Sequence, residues 1–208
     1  MDKHDIDWRG YIPAITTPFN ESGELDLLML EELLVWLHQE RMHGIVVAGT
    51  TGEWFSLSAD EKEKLFDTVG RVLKGKMTII AGCNAYTPSD AIKAAEMAEK
   101  AGFDGILLTA PPYIKPTSDE IEHFYASVCK ETSMPICVYN WPPGTGIDMD
   151  LELLTRLAAL ENVVAIKNST SNREHFLNVF HALKDQVRIF GVPMSEEGIL
   201  LVQEHNAD

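Results

Sequence analysis

Cysteine and positive charge are both scarce in this chain, and it has no long apolar run. The three cysteines, Cys83, Cys129 and Cys137, are odd in number and have no metal-ligand spacing, which argues against a disulfide framework or a zinc site. Cys83 and Cys137 sit in apolar, strand-like runs, where a free thiol acts as a small hydrophobe. Only 17 basic residues stand against 32 acidic ones, for a formal net charge of -15. That balance argues against nucleic acid and anionic membrane surfaces as partners, because both want basic patches. It leaves anionic small molecules open, since local donors decide binding inside a pocket. No apolar run approaches the roughly 20 residues of a membrane span. The opening MDKHDIDWRG has no apolar leader core, so no signal peptide is expected and the cytoplasm is the expected location. No GxGxxG or Walker sequence follows the first expected strand, which removes the usual marks of a nucleotide-binding sheet. No linker or low-complexity stretch interrupts the chain, so residues 1–208 are expected to form a single domain. No His/Cys/Asp cluster suggests a metal, and no cofactor is expected.

Apolar, β-compatible runs separated by helical patterns are abundant. Strands are expected at Tyr11–Thr16, Gly44–Ala48, Met77–Ala81, Gly105–Thr109, Pro135–Tyr139, Val163–Lys167 and Val187–Gly191, starting 24 to 33 residues apart. One strand-plus-helix unit takes about 30 residues. Helix starts are marked by capping boxes at Ser58–Glu61, Thr117–Glu120 and Ser171–Glu174, and by Thr87 before Pro88. Such alternation leaves a doubly wound sheet or a (β/α)8 barrel. The barrel is favoured because the unusual polar residues follow the strands: Thr16-Thr17, Gly49 to Glu53, Tyr113, Tyr139-Asn140 and Lys167. A barrel of this kind takes about 250 residues. After the expected helix at Ser195–Glu204 no eighth strand follows, so the barrel is expected to be cut short after strand 7 and helix 7, its closing part absent.

The stretch VVAIKNST, Val163–Thr170, reads as a buried strand that delivers Lys167 to its carboxyl end. Desolvation lowers a lysine pKa, and a neutral amine can form a Schiff base with a carbonyl. The plainer reading is a lysine reaching out to water. Gly49-Thr50-Thr51-Gly52-Glu53 could hold a carboxylate on backbone N–H groups and two hydroxyls, or be no more than a tight turn. If Tyr139 and Lys167 end adjacent strands, the phenol can shuttle protons for the amine; otherwise it is a strand tyrosine at the water boundary. Tyr113 lies in a proline-rich loop, Ala110–Pro116, whose stiffness is expected to hold the ring in place. Lys115, in the same exposed loop, is a decoy amine.

The Gly-Thr-Thr-Gly-Glu loop, the Tyr-Asn-x-Pro-x-x-Thr-Gly segment Tyr139–Gly146, and Ile166-Lys167 ending a sixth strand resemble the dihydrodipicolinate synthase / N-acetylneuraminate lyase family. Order and spacing match along all 208 residues. The resemblance implies a (β/α)8 barrel of pyruvate-dependent class I aldolases and lyases, built as homotetramers from tight dimers, with no cofactor. It implies that Lys167 is the Schiff-base lysine, Tyr139 the proton donor and acceptor, and Thr50 a relay. Thr51, with the Gly49 turn, would bind the keto-acid carboxylate. Tyr113 would complete the neighbouring subunit's relay, and Gly191 would lie near pyruvate. Authentic synthases carry an arginine for the aldehyde's carboxylate where this chain has Gly144. A synthase-like lyase acting on a 2-keto acid and an aldehyde is therefore expected, with the second substrate open. Its rivals are a Schiff-base dehydratase or deaminase on a keto-sugar acid or cyclic imino acid, and a non-catalytic ligand-binding barrel.

Overall fold

The computed structural model describes residues 1–193 and 195–205. Helix α1 spans Leu27–Gln39 and strand β1 Gly44–Val47. There follow α2 (Ala59–Leu73), β2 (Thr78–Gly82), α3 (Pro88–Ala101), β3 (Gly105–Thr109), α4 (Ser118–Glu131) and β4 (Ile136–Asn140). The short α5 (Pro142–Thr145) and α6 (Leu151–Ala158) precede β5 (Val163–Asn168), α7 (Arg173–Leu183), β6 (Arg188–Phe190) and α8 (Glu196–His205). The six strands pair in parallel in the order β1 to β6. They curl into an α/β half-barrel, with helices on the outer face.

Seven strands were expected and six are found among the described residues. The first, Tyr11–Thr16, touches the sheet through a single parallel bridge, Ala14 to Val46. Pro13 has no N–H to donate, so the ladder is broken there: Ile15 N–H donates to the Val46 carbonyl (3.0 Å), Val46 N–H to the Pro13 carbonyl (2.8 Å) and His43 N–H to the Tyr11 carbonyl (3.2 Å). The other strands fall within two residues of their expected ends. The capping boxes at Ser58 and Thr117 and the Thr87 cap form as expected. At α7 the cap is Asn172 instead of Ser171, its side chain accepting from His175 N–H. The helix expected at Ser195–Glu204 is α8, shifted by one residue.

Two apolar layers result. The larger lies between the helices and the outer sheet face, and includes Ile45, Val47, Ile79, Ile106, Leu108, Ile136, Val138, Val163 and Ile166. The smaller lies on the concave face: Trp8, Val46, Ile80, Leu107, Cys137, Tyr139, Val164 and Ala165. Alternation along each strand assigns residues to one layer or the other. It fails once, in β5. Ile136 pairs with Val163, but Cys137 pairs with Ala165, so Val164 is an extra residue. Val164 and Ala165 both turn inward, and every later residue of β5 changes face. Without this bulge Lys167 would point out among the helices.

Trp8, 2% exposed, fills the concave face at the strands' amino ends. Gly105, the first residue of β3, makes room for it: a Cβ there would stand 2.3 Å from Trp8 Cζ2. The Met1 amine donates to the Glu161 carbonyl (3.0 Å), Lys3 to the Lys184 carbonyl, and the Arg188 guanidinium to the Ile6 carbonyl (2.8 Å).

Candidate active site

At the opposite end of the strands, β4 and β5 present Tyr139 and Lys167 as paired residues. The Lys167 Nζ lies 4.4 Å from the centroid of the Tyr139 ring. Burial lowers the pKa of the Lys167 amine, and Cys137 nearby opposes this more weakly. Tyr139 is 5% exposed. Burial raises its phenol pKa, while the side chains of Ser169 and Thr50 beside its hydroxyl pull it down. An electron-rich ring over a desolvated amine partly compensates the ammonium while keeping it away from water. Burial thus favours the neutral, nucleophilic form of the amine, and the ring face favours the charged one.

Thr50 reaches the site from the loop after β1. Its Oγ1 is buried and meets no partner at full hydrogen-bond geometry among the described residues. The loop is a compact turn: Glu53 N–H donates to the Thr50 carbonyl (3.1 Å) and Trp54 N–H to the Gly49 carbonyl (3.3 Å). Thr17 Oγ1 anchors it on the Gly52 carbonyl (2.7 Å). Ala48 and Glu53, not Gly49, carry the left-handed backbone, with φ of 51° and 53°. The tight approaches belong to Gly52 and Gly82. A Cβ on Gly52 would lie 3.0 Å from Ala48 N, and one on Gly82 would lie 2.0 Å from the Ala48 carbonyl oxygen. Thr51, on the same turn, is exposed.

The remaining expected residues sit further out. Tyr113 is 89% exposed, so its loop does not pack the ring on its own chain as expected. Its backbone is left-handed, with φ of 79°, as is that of Lys115 at 48°. Two non-glycine residues in this region within one short loop mark stored strain. Gly191, with φ of 92°, turns the chain just after β6; a Cβ there would stand 2.4 Å from the Asn168 carbonyl oxygen. Gly144 lies in α5 under the Trp141 indole, which would meet its Cβ at 1.7 Å. The Trp141 ring stacks near Tyr139, with centroids 6.1 Å apart and planes at 20°.

Several contributors went unread in the sequence. Ser169 faces the Tyr139 hydroxyl. Behind the pair, the Asn140 amide donates to Asp148 Oδ1 (2.7 Å) and Asn168 Oδ1 (2.9 Å), and Asn140 Oδ1 accepts from Met149 N–H (3.1 Å). Thr170 Oγ1 donates to Asp148 Oδ2 (2.7 Å). This network, buried at Asn140 and Asn168 and exposed at the bond between Thr170 and Asp148, ties β4 to β5 one residue beyond Tyr139 and Lys167, and so holds both side chains in register. The repeated dipeptides Tyr-Asn and Lys-Asn at two strand ends were the available signal. Among the described residues no three His, Cys, Asp or Glu side chains are grouped to hold a metal, and no helix is long and apolar enough to cross a membrane.

Comparison with known proteins supplies the lineage. Two curated relatives are 4-hydroxy-tetrahydrodipicolinate synthases. The one from Oceanobacillus iheyensis is 32% identical over 203 residues, 93% of this chain and 69% of its own. The one from Desulforudis audaxviator is 34% identical over 185 residues, 89% of this chain and 63% of its own. The solved, chloride-inhibited dihydrodipicolinate synthase from Acinetobacter baumannii, complexed with pyruvate, superposes with a TM-score of 0.83 at 34% identity, covering 86% of this chain and 62% of that one. The chain thus spans somewhat more or less than two thirds of the proteins it matches. The profile of the dihydrodipicolinate synthetase family matches residues 7–196, and the chain belongs to that family.

Proposed function

We propose that this chain is a class I lyase or aldolase working on a (β/α)8 barrel, in which Lys167 forms a Schiff base with pyruvate or a related 2-keto acid. The observation that carries the reading is a lysine with a burial-lowered pKa, 4.4 Å from the ring of a buried tyrosine. The neutral Lys167 amine adds to the C2 carbonyl, and the carbinolamine loses water to give an iminium. The iminium draws electrons from C3, which loses a proton to form an enamine. The enamine carbon then bonds to an aldehyde carbon, whose oxygen takes up a proton, and water hydrolyses the product from the lysine. Tyr139 would move protons to and from these oxygens, a role supported by its hydroxyl neighbours Thr50 and Ser169. Thr51 and the turn at Gly49 would receive the keto-acid carboxylate.

Tyr113 would act in a neighbouring subunit. Its exposure, shared by Phe55, Tyr86 and Ile114, supports a covered position in a homo-oligomer. The net charge of -15 supports small-molecule partners over nucleic acid or membranes, and a cytoplasmic setting is consistent with the free thiols.

Borohydride reduction in the presence of pyruvate tests the reading. The expected result is a reduced adduct on the peptide containing Lys167. Lys62 is a built-in rival, since burial lowers its pKa too. Label on Lys62 or Lys115, or no label, would refute the proposal.

A further inference from the structure

Trp141 takes no part in that chemistry, yet it forms one wall of the mouth. It directly follows β4 and packs against the concave-face cluster. Gly144 beneath it does not have a left-handed φ, so its backbone alone would accept a side chain. The indole is what forbids one: Trp141 Cζ3, Cε3 and Cη2 would lie 1.7, 2.0 and 2.4 Å from a Cβ at this position. The ring is held by this fit and by its stack on Tyr139. Pro142, Pro143, Gly144, Thr145 and Gly146 carry no charge. A reactant reaching a nucleophile on Lys167 from this side therefore meets a flat, uncharged aromatic surface.

We propose that Trp141 is a specificity-determining residue, its indole seated over Gly144 as a wall that selects aldehydes with a flat apolar face and rejects those bearing a carboxylate there. The proposal rests on the Schiff-base reading above. A carboxylate against the face of this ring would lose water and meet no positive charge on residues 142–146, whereas an aromatic ring gains stacking. A cation, Lys115, approaches the end of the segment: its Cε would be 2.9 Å from a Cβ on Gly146. It is exposed, and the position it approaches, Gly146, lies two residues past Gly144.

The test compares kcat/KM for benzaldehyde and for succinic semialdehyde, each with pyruvate, after borohydride trapping has established the Lys167 adduct. The wild-type chain should favour benzaldehyde at least tenfold, and Trp141→Val should collapse that ratio. Gly144→Arg alone should lower Tm, because the indole leaves no room. Trp141→Val with Gly144→Arg should recover the lost Tm and favour succinic semialdehyde. Equal or better use of succinic semialdehyde by the wild type overturns the proposal, all the more so if Lys115→Ala removes it. An unchanged Tm in Gly144→Arg also overturns it, since the ring would not be what fills the space. Absence of any adduct sinks the Schiff-base reading, and the selectivity claim with it, whatever the melting temperatures.

Discussion

Adding one methyl group at Gly82 tests how the sheet positions the site. Gly82 ends β2 and lies against the turn that carries Thr50. In Gly82→Ala the new Cβ would stand 2.0 Å from the Ala48 carbonyl oxygen, 2.6 Å from its carbon and 2.9 Å from Gly49 N. All three are backbone atoms, so no rotamer can relieve the clash. Cβ contacts below 3.0 Å essentially never occur; going from 2.0 to 3.0 Å moves the turn by about 1 Å. Overpacking of this sort typically costs about 1–3 kcal/mol. For a chain of this size each kcal/mol lowers Tm by roughly 2–4 °C. A displacement of about 1 Å in a catalytic group can lower the rate on the order of a hundredfold. Gly49→Ala is the control. Its Cβ would meet Val46 Cγ1 at 3.5 Å and Ala14 Cβ at 3.9 Å, which are ordinary contacts. Thermal melts and the rate of borohydride-trapped adduct formation with pyruvate measure both effects. Gly82→Ala should lose several degrees and most of its trapping rate, and Gly49→Ala should keep its Tm. If Gly82→Ala melts and traps like the wild type, or Gly49→Ala is the more damaged, the steric account of this turn is wrong.

Lys167→Met should stabilise the fold at neutral pH. Burial lowers the amine's pKa in the folded chain, so the unfolded chain binds more protons between the two pKa values, and wild-type stability rises with pH across that window. Methionine has no charge to desolvate, so its Tm advantage should narrow as pH climbs toward the unfolded lysine's pKa of about 10.4; a deficit at neutral pH would contradict the burial argument. For Tyr113, mixing Tyr113→Phe and Lys167→Ala chains should restore some activity in heterodimers, because one of the two sites would be intact. Verified heterodimers that stay inactive would place Tyr113 outside the neighbour's site.

The repeat of strand and helix could be read because parallel strands covered on both faces are continuous apolar runs, and three of the caps, Ser58, Thr87 and Thr117, are single residues with one obvious partner. The pairing of Tyr139 with Lys167 followed from strand order alone. How the two come to face the same way did not: the bulge at Val164 is spelled with the same apolar residues as the strand around it. Pro13 could have warned against a full first strand, since its missing N–H was visible. Ser171 and Asn172 are both good caps, and only backbone geometry chose between them. Glycines were hardest to read. Gly49 draws the eye in its motif, but the constraint falls on Gly82, through a turn 34 residues away in sequence. Gly144 looked like a missing arginine; in the fold it is the floor beneath Trp141.

The plug around Trp8 bears on the order in which the chain is assembled. Its partners lie late in the sequence: Met1 bonds a residue 160 positions on, and Ile6 one 182 positions on. Contacts so distant form slowly, because the intervening loop must close first. During synthesis the amino-terminal residues emerge first, but the bonds to Glu161, Lys184 and Arg188 cannot form until those late residues exist. Until then the cover over Val46, Ile80 and Leu107 lacks those anchors, and a loosely covered trough is the kind of surface through which folding intermediates aggregate. Trp8 thus closes the fold from the wrong end of the chain, as the first part made and among the last put in place.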